Sequence, residues 1–481
     1  MKWDAVVIGS GIGGLACAGM LAARGRKVAV LEQAATPGGY LSSFRRGDFT
    51  FDSAVDCVAG LDPEGLLTWL LRSLGVDRHL TPIRLDPIRV SRFPGLTIQV
   101  DASLPAYTER LCRLFPAERD GIAAFFRRAG TIYSDVEAMF EAIKQGREPT
   151  AVLPTSLIRY REATYADLLR ADIRDARLAA VLSDRCPFLG SSPARVSATR
   201  MVSLVMSYFR SGAFRPAGGH QRLPDLLVEG IRRARGEVWL GRPAKRILVE
   251  GGRCARVLTE DGADFAAAHV VSNADLFETF GRLIGGDVGK AVLGETGGRS
   301  LSPSFFMVYA GMRRDTPPGV ASSIGSFGSY DLDSLLTAYV PFSDSDALGI
   351  TIPTVEDSSL APPGQDVLIV HELVPHSHKR EWEMEKDACM DKMLWKAERI
   401  LPGLRNRVTH CEAATPSTLE RYTRNRGGAA YGWEQTPNPS RVRHGIANLH
   451  LVGHWGETGG GVLAAAYSGM WAAARILKRE P

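Results

Sequence analysis

Two regimes of apolar and polar patterning alternate along this chain. Asp4–Gly9 (DAVVIG) is a short β-branched run without polar alternation, the pattern of a strand buried on both faces of a parallel sheet. Ile12–Arg24 carries helix-forming Ala, Leu and Met, and Gly25 stands where a helix would stop. Lys27–Glu32 (KVAVLE) returns to strand character, so the amino terminus predicts a βαβ unit of about thirty residues. Further on, Pro63–Leu74, Ala106–Phe115, Arg119–Gln145 and Tyr165–Ser183 place apolar residues at helical spacing with Arg and Glu between them. Met201–Phe209 (MVSLVMSYF) is apolar and sulfur-rich; such a stripe reads as core packing, with a ligand wall as the alternative.

Pro216-Ala-Gly-Gly219 then breaks the chain before a predicted helix over Leu223–Arg235. Gly236–Ala268 alternates apolar and polar positions between glycine turns, a predicted β-meander, and Val270–Asp275 (VVSNAD) closes it. Residues 300–430 mix strands (Pro303–Ala310, Asp366–Val374) with a helix around Trp382–Leu401, and the carboxyl terminus returns to strand, glycine loop and Ala-rich helix. Nucleotide-type signals at both ends, with different material between, predict one cofactor domain assembled from residues 1–75, 216–299 and 431–481. A substrate domain, 76–215 and 300–430, would be inserted into it.

Composition narrows the function. The chain has 481 residues, 45% hydrophobic and 23% charged, a profile that excludes disorder, collagen and coiled coil. Its net charge of +5 includes no basic block of the kind nucleic acid requires, so a small molecule is the expected partner. Seven scattered Cys without a C-x-x-C pair predict reduced thiols and a cytoplasmic setting. The uncharged run over residues 5–23 has the length of a signal peptide or membrane helix. Its five glycines make it strand, loop and helix instead. Any membrane contact is expected to be peripheral; Ala123–Arg128 (AAFFRR) reads first as a helix with a buried Phe pair and solvated Arg, with dipping into an anionic surface as the alternative.

The chemistry concentrates at glycines. Gly9-x-Gly11-x-x-Gly14 follows a strand and opens a helix. Gly9 allows the tight turn, Gly11 the approach of a pyrophosphate, and Gly14 close helix–strand packing, with the helix N-terminus supplying N–H groups to the phosphates. Glu32 ends the second strand, where a carboxylate bonds a ribose hydroxyl and disfavours a 2′-phosphate. Pro37-Gly38-Gly39-Tyr40 and the basic pair Arg45-Arg46 extend the site beyond a simple NAD fingerprint. At the other end LHLVGHWGETGGGVL (449–463) runs from strand into glycine loop and helix. That helix aims its positive end at whatever lies beside the loop, an arrangement suited to the negative edge of a reduced flavin. His371, His376 and His378 raise the question of a metal, but no carboxylate–histidine helical spacing accompanies them and no metal site is expected. No G-x-S-x-G elbow or Cys/His nucleophile pattern is present.

Together these segments, with PAGGHQRLPDLLVEGIRRARGEV and VVSNAD, resemble the phytoene desaturase, carotenoid isomerase and retinol saturase family of FAD-dependent proteins, within the amine-oxidase-like flavoprotein class. The resemblance is thin across 76–215 and 300–430, where substrate identity is decided. It implies an α/β fold with a Rossmann-type, glutathione-reductase-like FAD-binding domain built from discontinuous segments, and an inserted α+β substrate domain. It implies that Gly9, Gly11, Gly14 and Glu32 bind ADP, that Ala244 touches adenine through its backbone, and that Gly453, Gly461, Val462 and Leu463 line the flavin. Where many relatives have Gly-Asp, this chain has Gly453-His454, so His454 would bond the ribityl chain; where amine oxidases have Gly-Gly-Arg it has Gly38-Gly39-Tyr40. No Cys matches a flavin-linking position, so FAD is expected to be non-covalent. The expected activity is desaturation, dehydrogenation or isomerisation of a lipophilic, unsaturated small molecule, with oxygen or a quinone as electron acceptor and Glu457 as the candidate acid/base. The alternatives are C–N oxidation, as in the amine-oxidase branch, and a flavin-free prenyl-binding protein of the GDP-dissociation-inhibitor type.

Overall fold

The computed structural model describes residues 2–149, 154–315, 320–337, 347–375, 382–437 and 442–479. The amino-terminal βαβ unit forms as the patterning dictates: β1 (Lys2–Ile8), α1 (Ile12–Ala22) and β2 (Val28–Leu31), with β1 and β2 parallel and Val6 opposite Ala29. Every residue of α1 is buried, because the helix lies between the sheet and two further helices, Arg222–Arg233 and Val462–Arg479. Small residues permit this crowding: a Cβ on Gly469 would collide with the Gly13 carbonyl.

The first of two seven-stranded sheets runs in the order Ala244–Glu250, Arg253–Thr259, Asp264–Ser272, β1, β2, Glu237–Trp239, with Leu449–Leu451 pairing beside Asp264–Ser272. Its centre is parallel; Val6 lies opposite Val270, and Val270 opposite Leu449. Strands from three distant parts of the chain therefore end at one sheet edge, beside the N-terminus of α1.

The second sheet runs Val408–Ala414, Ser304–Arg313, Gln365–Val374, Leu348–Thr351, Ser323–Ser326, Arg89–Phe93, Leu96–Val100. It is antiparallel except where Ser323–Ser326 pairs with Arg89–Phe93. A helical layer that includes Leu104–Leu114, Arg119–Lys144 and Ala198–Arg210 packs beside it.

One reading of the sequence needs correction. Tyr165–Ser183 is not one helix but two, Tyr165–Arg170 and Ala176–Leu182. The Asp175 carboxylate accepts from Arg177 and Leu178 N–H (2.8 and 3.3 Å), and this N-cap restarts the helix where periodicity had run through. The AAFFRR segment follows the first of its two readings, a buried Phe pair: Phe125 and Phe126 are 2% and 7% exposed in the helical core, and Arg128 is forked onto Asp172 at 2.8 Å. Among the described residues no helix is long and apolar enough to cross a membrane.

Candidate active site

The carboxyl ends of the parallel strands and the start of α1 enclose a long cleft. Gly9 turns out of β1 with φ +93°, a conformation that needs glycine, and its N–H donates to the Leu31 carbonyl at 2.8 Å. A Cβ on Gly14 would strike the Gly9 carbonyl, so helix and turn pack backbone to backbone. Gly11 precedes α1 in extended conformation, and no side chain caps the helix. Its first N–H groups thus face the cleft without a side-chain acceptor, as an anion-binding helix start requires.

Glu32 closes one end. It is 8% exposed; Oε2 accepts from Ser10 N and Ser10 Oγ, each at 2.7 Å, and Oε1 accepts from Ala34 N at 2.8 Å. The three bonds fix a carboxylate that still has lone pairs for hydroxyl donors. Pro243 and Ala244 form the adjoining wall, and the Ala244 carbonyl accepts from Arg282 at 3.0 Å.

The other end gathers Gly38, Gly39, Tyr40, Gly453, His454, Gly461 and Val462. Tyr40 donates to the Ala429 carbonyl at 3.0 Å, and burial pushes its hydroxyl up to about 12. Burial holds His454 down at about 4, so the ring is neutral at ordinary pH. Its Nε2 lies 3.0 Å from Asn425 Oδ1, which also accepts from Trp455 Nε1 at 2.9 Å. Gly461 has φ +102° and nothing within 4 Å of where a Cβ would project, which leaves the end of the cleft open for a flat group. An uncapped helix start, an acceptor-only carboxylate and this bare glycine fit a dinucleotide with a large ring system.

Three expected residues lie elsewhere; the first, Gly14, packs behind the turn against Gly9 and does not line the cleft. Leu463 lines a neighbouring cavity, not the cleft. Glu457 is also outside the cleft: its Oε1 accepts from Arg475 Nη1 at 3.2 Å, and it lines two neighbouring cavities, one of them the cavity that Leu463 lines. The loop turns at Gly459 and Gly461, both with positive φ; Val462 lines both the cleft and that cavity, while Glu457 lines the cavity alone of the two. Of the three histidines, His371 lines a separate cavity and not the cleft; His376 and His378 lie outside the described residues. No group of metal-capable side chains comes together among the described residues.

The sequence reading passed over several residues that the fold brings in. Asn273 follows the Asp264–Ser272 strand and packs its amide against Gly11, Gly13 and Gly453, joining the two glycine loops. Asp275 lines the cleft and accepts from the backbone of Phe277, Glu278 and Arg426 (2.6, 3.0 and 3.0 Å). Burial raises its pKa despite these bonds. VVSNAD was the available signal for both, but no periodicity says that this strand sits beside β1. Phe305 and Tyr431 also enter the cleft wall, with nothing local to mark them.

A second, mostly apolar cavity meets the cleft at Gly461 and Val462. Cys57, Val136, Met139, Phe140, Leu204 and Leu463 line it. The Met201–Phe209 stripe is therefore both things at once: Met201, Val202 and Met206 are core, while Ser203, Leu204 and Ser207 face this cavity.

Comparison with known proteins agrees with this geometry. Residues 7–74 match the NAD(P)-binding Rossmann-like domain family. Over its whole length the chain is similar to a prolycopene isomerase of Daucus carota, 28% identical over 99% of this chain and 80% of the relative. It is 27% identical to a zeta-carotene-forming phytoene desaturase of Myxococcus xanthus, covering 98% and 93%. Among solved structures, a redesigned putrescine oxidase superposes over 100% of both chains with TM-score 0.66 at 16% identity, which shows the shared architecture. The Rossmann-type α/β fold and the kinship with desaturases and isomerases read from the motifs both hold.

Proposed function

From a chain homologous end to end to carotenoid desaturases and isomerases, we infer an FAD-dependent oxidoreductase that desaturates, dehydrogenates or isomerises a lipophilic, unsaturated small molecule. One observation carries the reading: the dinucleotide-shaped cleft and the apolar cavity share Gly461 and Val462 as a common wall. A molecule in the cavity is thus brought against the ring end of the cleft.

Each part of the chain has a task. Glu32 holds the ribose hydroxyls, and the uncapped start of α1 holds the pyrophosphate. Gly453 and Gly461 let backbone approach the ring, while His454, neutral and tied to Asn425, orients the loop. The apolar walls exclude water from the reacting carbon atoms. FAD, held without a covalent link, supplies the hydride acceptor when bound. Residues 1–75, 216–299 and 431–481 act as the cofactor-binding part, and 76–215 with 300–430 as the substrate part. Oxygen or a quinone would take the electrons onward.

Purified protein should be yellow and release intact FAD on denaturation. A polyene such as a carotene precursor should bleach its absorbance anaerobically, or be isomerised with the flavin unchanged overall. Bleaching by amines but not polyenes would move the chain to C–N oxidation. Colourless protein that binds prenyl groups would place it with flavin-free binding proteins.

A further inference from the structure

A third cavity opens past Phe305, which lines both it and the cleft. Its walls are largely apolar (Phe188, Phe305, Phe327, Leu335, Leu336 and Leu348), yet Arg89 and His371 also face it. Arg89 is 3% exposed, and its Nε has no hydrogen-bond partner among the described residues. The nearest carboxylate oxygen, Asp184 Oδ2, is 3.7 Å from that Nε and is engaged by the Ser91 hydroxyl. The guanidinium stacks on Phe188 and Phe327, 5.1 and 5.9 Å from the ring centroids.

The floor is shaped for these two side chains. Gly325 and Gly349 are paired across adjacent strands. A Cβ on Gly325 would collide with the Arg89 guanidinium, and one on Gly349 with the His371 ring. Two side-by-side glycines thus let a cation and an imidazole lie flat against the sheet under the cavity. The acids that also line it are occupied: Glu372 accepts from Lys396 at 2.9 Å, and Asp331 accepts from Ser334 N at 3.0 Å and Ser334 Oγ at 2.6 Å. Burial keeps His371 uncharged, near 4, so Arg89 is the cation on offer. A buried guanidinium whose Nε–H lacks an acceptor is costly; Asp184 balances its charge at 3.7 Å without bonding that N–H, and a ligand carboxylate is the acceptor that fits its planar fork.

We propose that this cavity receives the carboxylate terminus of an amphipathic, apolar-chained substrate, with Arg89 as the specificity-determining residue that recognises it. The proposal rests on the reading of the chain as a flavoenzyme for apolar molecules and narrows that class to polyene or fatty carboxylates. The charged end sits beyond Phe305, and the chain runs back toward the cleft, so the reacting bonds lie away from the carboxylate.

The test titrates FAD-loaded protein with all-trans-retinoate and, separately, its methyl ester, following tryptophan quenching. Retinoate should bind at least about ten-fold tighter than the ester, the scale of a charge-assisted pair. Arg89→Met should bring retinoate down to the level of the ester while ester affinity stays within about two-fold. Gly325→Ala, which displaces the guanidinium but keeps its charge, should also reduce the discrimination, and thermal melts report whether each variant is folded. Equal affinity for acid and ester in the unsubstituted protein would overturn the proposal, as would discrimination that survives in folded Arg89→Met or, should that variant not fold, in Gly325→Ala. If both probes bind without discrimination the apolar reading stands and only the carboxylate is lost; if neither binds, the parent reading fails with it.

Discussion

The two seven-stranded sheets build their sites from different material. At the edge of the parallel sheet the working groups are mostly backbone: the turn at Gly9, the bare start of α1 and the bend at Gly461. Beside the antiparallel sheet they are buried side chains. Asp56 is held by Arg215 at 2.6 Å, Ser323 at 2.8 Å and Thr351 at 3.1 Å. Arg185 lies 4.0 Å from Asp56, and Arg215 also pairs with Glu356 at 2.7 Å. Backbone sites need glycine at fixed offsets and tolerate little else. Side-chain sites need partners from distant segments, and their failure mode is an unpaired charge.

The contrast can be broken first at Asp56. Asp56→Ala would leave Arg215 and Arg185 buried with one carboxylate fewer, and loss of one partner of a buried pair costs about 3–5 kcal/mol. Chemical denaturation should show that loss, and a change under about 1 kcal/mol would mean that water or rearrangement already compensates the network.

Acid should then reach one histidine in each region in the same pH window, and Asp56 only below it. Burial depresses His371 and His454 to about 4, against about 6.5 in an unfolded chain. The unfolded state takes up these protons first, so stability should fall as pH drops from about 6.5 to 4. For Asp56, burial pushes the carboxyl up, but Arg215, Arg185 and Ser323 outweigh it and hold it well below the usual carboxylate range. Its contribution is present above about pH 4 and is lost only below it. A denaturation midpoint flat from pH 7 to pH 4 would contradict the histidine assignment.

A smaller effect belongs to the cofactor edge. Glu32→Ala should weaken FAD retention by about 1–3 kcal/mol, measured by equilibrium dialysis, with the fold intact. Full occupancy and unchanged affinity would show that the carboxylate does not meet the ribose. Smallest of all is Glu457→Gln. Its partner Arg475 is solvent-accessible, and such pairs contribute about 0–1 kcal/mol. Flavin reduction by substrate should stay within a few-fold. A large loss of reduction with FAD still bound would restore Glu457 as an acid/base acting at the ring.

The amino-acid sequence by itself determined the βαβ unit, the dinucleotide turn, Glu32 at the strand end and the carboxyl-terminal glycine loop. Each of these is a local demand on backbone conformation or burial, and only certain residues meet it. Tertiary structure alone decided which neighbours complete the site. Asn273 bridges Gly11 and Gly453 because strand Asp264–Ser272 pairs with β1, a parallel pairing across more than half the chain. Glu457 lines the apolar cavity and not the cleft, where two positive-φ glycines bend the loop, and Phe125 is core because a helical layer closes over it. Arg89, Arg185 and Asp56 look like ordinary charges in sequence. Only the fold removes them from water, where an unpaired charge is costly: Asp56 is held by Arg215, whereas Arg89 keeps an Nε without a hydrogen-bond partner among the described residues.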